Sequence, residues 1–292
     1  MVEEIAPAKI NLYLHVGGLR RDRLHDLKSL FVFADGGDVI AAEPARDLSL
    51  KITGPFSAPL LSAPAEKNLV LRAARALQAA TGVSAGARIT LDKRLPIAAG
   101  VGGGSADAAA ALRALMRLWR IEIGAGALHK IAFALGADVP ACLSRAPVLV
   151  SGAGERLARA PGLPPLAVCL VNTRVPMPTG PVFRAFDAAN PAPAPPADPP
   201  FTALFGIGAV RSLFAATRND LEPYAAAREP SVRRAIAALS AAPGALPARM
   251  SGSGATVFAL FSSRVGAARA ARAMRARGWW SMDASLYGAG AP

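Results

Sequence analysis

"LPIAAGVGGGSADAAAALRALMRLW", residues 95–119, places glycines at positions 100, 102, 103 and 104 directly ahead of a helical pattern. Glycine opens positive φ and removes the side chains that would hold a ligand away, so such a run can aim several backbone N–H groups at one anion. Ser105 is a favourable N-cap, and Asp107 falls where a negative charge suits the helix dipole. Ala111, Leu112, Leu115, Met116 and Trp119 then trace one apolar helix face. Loop amides that converge with a helix N-terminus make a phosphate site, here formed by Gly100, Gly102, Gly103, Gly104 and Ser105. No GK[ST] follows, which excludes the Walker A loop. Ser105 stands at the third glycine position of G-x-G-x-x-G, which sets the dinucleotide fingerprint aside.

Outward from this stretch, strand and helix signals interleave. "ARITLDKRLP" (87–96) reads as a strand, and "NLVLRAARALQAATG" (68–82) as a helix stopped by Gly82. A second helix is expected near 125–135. "KINLYLHV" (9–16) alternates, with Ile10, Leu12, Leu14 and Val16 on one face and Lys9, Asn11, Tyr13 and His15 on the other, which predicts a half-buried strand. "PPLAVCLVNT" (164–173) reads as a buried strand, and "ATVFALF" (255–261) with the helix over 264–277 as a βα unit. Six prolines within 191–200 exclude helix and central strand there and predict a linker or surface loop. The class is α+β with two lobes, residues 1–158 and 159–292.

With 292 residues, 52% hydrophobic and 18% charged, the chain is globular and long enough for one large or two ordinary domains. Cys142 and Cys169 follow no metal or redox spacing, the N-terminus lacks a secretory pattern, and no stretch is apolar enough to span a bilayer. These features predict a cytoplasmic protein with no membrane partner, a monomer or weak homodimer. The net charge of +13 favours anionic ligands. Its densest group, "RVGAARAARAMRAR" (264–277), reads as a solvated helix face, and without a nucleic-acid module no nucleic-acid partner is expected. His15 and His129 are read as structural.

Three motifs in order, "PAKINLYLHV", "LPIAAGVGGGSADAAAAL" and "MSGSGATVFALF" (250–261), resemble the GHMP kinase superfamily. "LGADVPACL" (135–143), "GAGE" (152–155), "NTRVPMPTGPVF" (172–183) and "RNDLEP" (218–223) resemble its members that act on a cytidine-diphosphate sugar alcohol. The resemblance implies an N-terminal lobe like the second domain of ribosomal protein S5 and a ferredoxin-like C-terminal lobe. It implies transfer of the γ-phosphoryl group of ATP to the acceptor's 2-hydroxyl, with Mg²⁺ inferred from the chemistry of ATP. Such transfer needs charge neutralisation, an orienting cradle and a group that receives the hydroxyl proton.

The resemblance assigns Asp138 as the base and Lys9 as the cation that keeps it ionised and orients the hydroxyl, with Asn11 on the same strand face. Asn68 and Lys93 match positions that approach the nucleotide, while Ser251 and Gly252 touch substrate or shape the site. Thr179 and Phe183 match one wall of the cytidine pocket. Related kinases read D-G-Y-H opposite that wall, where this chain has Asp22, Arg23, Leu24 and His25. His25 is kept for a polar base contact, but Leu24 replaces the stacking tyrosine, so weaker base binding is expected. The alternatives are another small-molecule kinase of the superfamily, of homoserine or mevalonate type, or a non-catalytic ligand-binding protein on this fold.

Overall fold

The computed structural model describes residues 1–190, 193, 197, 199 and 206–288. Most of the proline segment expected as a loop lies outside the described residues. Two compact units share the chain: residues 1–8, 36–97 and 102–144 form the first, and 9–35, 98–101 and 145–292 the second. Strands β1 (Val2–Leu19) and β2 (His25–Ala45) pair with each other, and each contributes residues to both units. The units therefore interleave along the chain, whereas the sequence reading placed consecutive lobes at 1–158 and 159–292.

In the first unit, β3 (Leu48–Thr53) runs parallel to β4 (Gly86–Asp92), and β4 is antiparallel to Val39–Ala45 of β2. A parallel pair needs a long crossover, here the short helix α1 (Ala58–Leu61) and then α2 (Leu69–Thr81). Asn68 caps α2 by accepting the Val70 N–H at 2.9 Å, and Gly82 closes it with φ 71°. Val70, Leu71, Ala73, Ala74 and Leu77 are buried, the expected apolar stripe.

The glycine stretch leads into α3 (Gly103–Trp119), packed against α2, and α4 (Ala125–Leu135) and α5 (Val139–Ser144) follow. Ser105 is not the N-cap: Gly102, at φ 61°, holds that position without a side-chain bond. A left-handed residue is needed there, and glycine adopts it without strain. Asp107 lies beyond the first turn and is 3% exposed, so it does not serve the helix dipole as expected. Arg113 fixes α3 to its neighbours, bonding Glu4 and the carbonyls of Ile5, Cys142 and Leu143.

In the second unit, β5 (Val148–Gly152) is antiparallel to Leu27–Phe31 of β2, and β6 (Arg156–Arg159) is antiparallel to β5. The expected half-exposed face of residues 9–16 is a correction, because Lys9, Asn11, Tyr13 and His15 are all buried. Polar partners make that burial tolerable: the Asn11 amide donates to Ser29 Oγ, and the Ser29 hydroxyl donates to the Tyr13 carbonyl.

A second sheet contains β7 (Ala167–Asn172), β8 (Arg249–Met250), β9 (Val257–Phe261) and β10 (Trp280–Ser285), in the order β10-β7-β9-β8 and antiparallel throughout. Helices α6 (Thr179–Ala189), α7 (Gly206–Ala216), α8 (Glu222–Arg228) and α9 (Pro230–Ser240) precede β8, and α10 (Arg264–Arg275) joins β9 to β10. This order is that of a ferredoxin-like plait. Cys169, Val171, Val257, Ala259 and Phe261 form a core with Val232, Ala235 and Leu239 of α9 and Ala267, Ala270, Ala271 and Met274 of α10. Ala267, Ala270 and Ala271 face inward while Arg269, Arg272 and Arg275 are exposed, the solvated face expected.

Candidate active site

The first unit gathers four expected site segments around the start of α3. A Cβ on Gly104 would lie 3.6 Å from the Leu69 side chain, which brings the Asn68 cap beside the loop. A Cβ on Gly136 would lie 4.0 Å from Ser105 Oγ, which brings the turn preceding α5 to the same place. That turn carries Asp138, partly exposed, whose carbonyl accepts the Cys142 N–H. A Cβ on Gly103 would lie 3.0 Å from Lys93 Nζ, so the ammonium sits directly beneath the loop.

Lys93 is 3% exposed and committed to two carboxylates, Asp38 Oδ2 at 2.5 Å and Asp107 Oδ2 at 2.7 Å. Burial alone would lower its pKa, but Asp107 and Asp38 outweigh that and leave it raised, so Lys93 is a fixed cation. It supports the loop from below. Asp38 Oδ1 accepts the N–H groups of Arg94 and Leu95, which ties β2 to the end of β4.

In the second unit, Gly100 parts from the other glycines. A Cβ there would lie 2.2 Å from the Ser251 carbonyl oxygen, and φ is 75°. Glycine is thus required at 100 by the approach of the 251–254 turn. Ser251 is fully buried, donates to the Gly100 carbonyl at 2.9 Å and accepts the Asn11 N–H at 3.2 Å. The Lys9 ammonium donates to Asn11 Oδ1 at 2.9 Å and lies 4.3 Å from the centre of the Phe31 ring. Gly252 is adjacent, since a Cβ there would lie 3.5 Å from Asn11 Oδ1. Thr179 begins α6 and bonds Ser253 Oγ at 2.9 Å.

His25 is buried, and its Nδ1–H donates to the Gly17 carbonyl at 3.1 Å. Its ring centre lies 4.9 Å from that of Phe183, while Asp187 Oδ1 approaches Nε2 at 3.4 Å. The two rings are in contact, which leaves no base-wide gap between them. The two side chains stand together, His25 on β2 and Phe183 on α6. Leu24 is 46% exposed beside it.

His15 has its pKa lowered, chiefly by burial, and meets the Ala197 carbonyl and the Arg218 N–H, a structural role as expected. His129 is exposed in the middle of α4. Among the described residues, no three His, Cys, Asp or Glu side chains gather as a metal site, and no helix is long and apolar enough to cross a membrane. Asp38, Asp187 and Ser29 were not legible as site residues. Asp38 offered a signal, an acid directly ahead of the apolar run Val39, Ile40, Ala41 and Ala42.

Comparison with known proteins adds two family patterns, GHMP kinases N terminal domain over residues 68–145 and GHMP kinases C terminal over 206–278. A 4-diphosphocytidyl-2-C-methyl-D-erythritol kinase of Paramagnetospirillum magneticum is 49% identical over 287 residues, 96% of this chain and 97% of the relative. Another of that name from Cereibacter sphaeroides is 49% identical over 291 residues, 99% of this chain and all of the relative. A crystal structure of 4-(cytidine 5'-diphospho)-2C-methyl-D-erythritol kinase superposes with TM-score 0.78 at 33% identity, covering 97% of this chain and 98% of that one. Homoserine kinase from Cytophaga hutchinsonii, at TM-score 0.69, 21% identity and coverage of 97% of this chain and 93% of that one, shares the fold.

Proposed function

Because the chain belongs to the GHMP kinases and, within them, to the 4-diphosphocytidyl-2-C-methyl-D-erythritol kinase family, we propose that Asp138 and Lys9 serve phosphoryl transfer to the 2-hydroxyl of that substrate. The chain is an ATP-dependent kinase of isoprenoid precursor biosynthesis. Near-full-length identity of 49% carries this reading. The gathering of Asn68, Lys93, Gly103, Gly104, Ser105 and the Asp138 turn around one helix start supports it.

Asp138 takes the acceptor proton as the hydroxyl oxygen bonds to the γ-phosphorus and the bond to the β–γ bridging oxygen breaks, releasing ADP. Lys9, held by Asn11, keeps positive charge at the acceptor. The amides of residues 102–105 orient the phosphates, and Asn68 stands beside the nucleotide. Lys93 acts on the nucleotide through the loop that it supports. Gly100 contributes by seating the 251–254 turn beside Asn11.

His25, Phe183 and Thr179 recognise the cytidine end, with Phe183 offering its outer face to the base. Mg²⁺ would come as the counter-ion of the triphosphate and neutralise its charge. The protein works in the cytoplasm, without nucleic acid or membrane, as a monomer or weak homodimer.

The test is coupled ADP release with the cytidine-diphosphate methylerythritol, mevalonate and homoserine offered separately. Turnover on the cytidine compound alone is expected. Turnover on mevalonate or homoserine alone would discard the acceptor assignment and keep the kinase.

A further inference from the structure

Beneath the start of α3 lies an ion cluster with one more carboxylate than cation. Asp38 accepts three N–H bonds, from Lys93 Nζ, Arg94 and Leu95. Asp107 Oδ2 accepts one, from Lys93 Nζ, and Asp107 Oδ1 is buried with no hydrogen-bond partner among the described residues. A half-bonded buried carboxylate is costly, and a neutral carboxyl group in its place costs much less. The place for a proton is therefore Asp107.

The cluster also lies where its charge matters. Lys93 Nζ would be 3.0 Å from a Cβ on Gly103, and Asp38 Oδ2 would be 3.6 Å from it. With both carboxylates ionised, the loop rests on a net charge of minus one, which opposes a polyphosphate above it. With one proton added, the loop rests on a neutral cluster.

We propose that Asp107 is a positioning residue for the phosphate loop, taking up a proton as the nucleotide phosphates bind above it. This inference rests on the reading of residues 102–105 as the phosphate loop. The charged groups facing Asp107 are Lys93, from the segment after β4, and Asp38, from β2. Helices α2, α4 and α5 also pack against α3, and Arg72, Arg75, His129 and Lys130 of these helices are exposed. Burial, opposed by Lys93 and reinforced by Asp38, pushes the Asp107 carboxyl up to about 7, so the proton is exchangeable near neutrality.

The experiment is calorimetric titration of the full chain with ADP and with a non-hydrolysable ATP analogue, in buffers of different ionisation enthalpy, for the wild type and Asp107→Asn. The wild type is expected to take up more protons than the variant. Its dissociation constant should rise on the order of tenfold from pH 6 to pH 8 relative to the variant's. Equal proton uptake and parallel pH profiles, with binding intact, would overturn the proposal and leave the loop reading standing.

A wild type that binds neither nucleotide, or binds them unchanged in Gly104→Val, would overturn the loop reading and the proposal with it. Difference infrared spectroscopy of the wild type alone gives a second readout if Asp107→Asn fails to fold. A protonated carboxyl band should grow as ADP is added near neutral pH, and its absence would overturn the proposal.

Discussion

Replacing Gly100 and Gly82 by alanine, one at a time, separates backbone strain from the need for close approach. The two glycines have nearly the same left-handed φ, 75° and 71°. An alanine in that region costs about 1–2 kcal/mol, partly offset by about 0.4–1 kcal/mol from the reduced freedom of the unfolded chain. At Gly82 a Cβ meets nothing within 4 Å, so Gly82→Ala should cost about 1 kcal/mol. At Gly100 the same atom lies 2.2 Å from the Ser251 carbonyl oxygen and 2.9 Å from the Gly254 nitrogen, both backbone atoms.

Relief at Gly100 must displace the turn, which adds about 1–3 kcal/mol, as overpacking does elsewhere. Urea unfolding of the two variants under one condition should place Gly100→Ala about 1–3 kcal/mol below Gly82→Ala. Because Ser251 Oγ bonds the Asn11 N–H, Gly100→Ala should also lower kcat, while Gly82→Ala leaves it unchanged. Equal destabilisation by both substitutions would refute the assignment of close approach at Gly100.

Lys93→Met leaves Asp38 and Asp107 buried without their cation, so thermal unfolding should reveal a loss of about 3–5 kcal/mol. Asp107 is raised when folded, so its contribution is fully present below the ordinary carboxylate pKa and lost as pH rises to about 7; denaturation midpoints across pH 4–8 should fall more steeply for wild type than for Asp107→Asn. Arg249 bonds the carbonyls of Leu12, Phe214 and Thr217 and the Thr217 hydroxyl, a planar fan that lysine cannot reproduce, and Arg249→Lys should cost about 2–3 kcal/mol in the same assay. Phe183→Ala should raise KM for the cytidine substrate about 5- to 150-fold with little change in KM for ATP, while Leu24→Tyr should lower the former.

Elements set by short-range rules were legible in the sequence. The stripe of α2, its Gly82 stop, the strand of residues 164–173 and the arginine face of α10 follow from side-chain periodicity and capping, which act within a few residues. Residues 9–16 defied the same reasoning because alternation reports chemistry rather than exposure. Their polar face is buried, with the Asn11 side chain on Ser29 and its backbone N–H on Ser251, both distant in sequence.

The N-cap of α3 was misplaced because Gly102 and Ser105 both suit a helix start, and only the backbone path decides between them. Lys93 was singled out by the family resemblance alone, and its burial between Asp38 and Asp107 depends on pairing β2 with β4, which local sequence does not reveal. Gly100 and Gly103, three residues apart, serve different units for the same reason.

The most direct test of the central claim is a single-turnover measurement of phosphoryl transfer from ATP to the cytidine-diphosphate methylerythritol, comparing wild type with Asp138→Asn after both are shown to bind ATP equally. Loss of transfer by several orders of magnitude at unchanged ATP affinity is the expected result for a base that takes the hydroxyl proton. Transfer at the wild-type rate in Asp138→Asn would contradict the assignment.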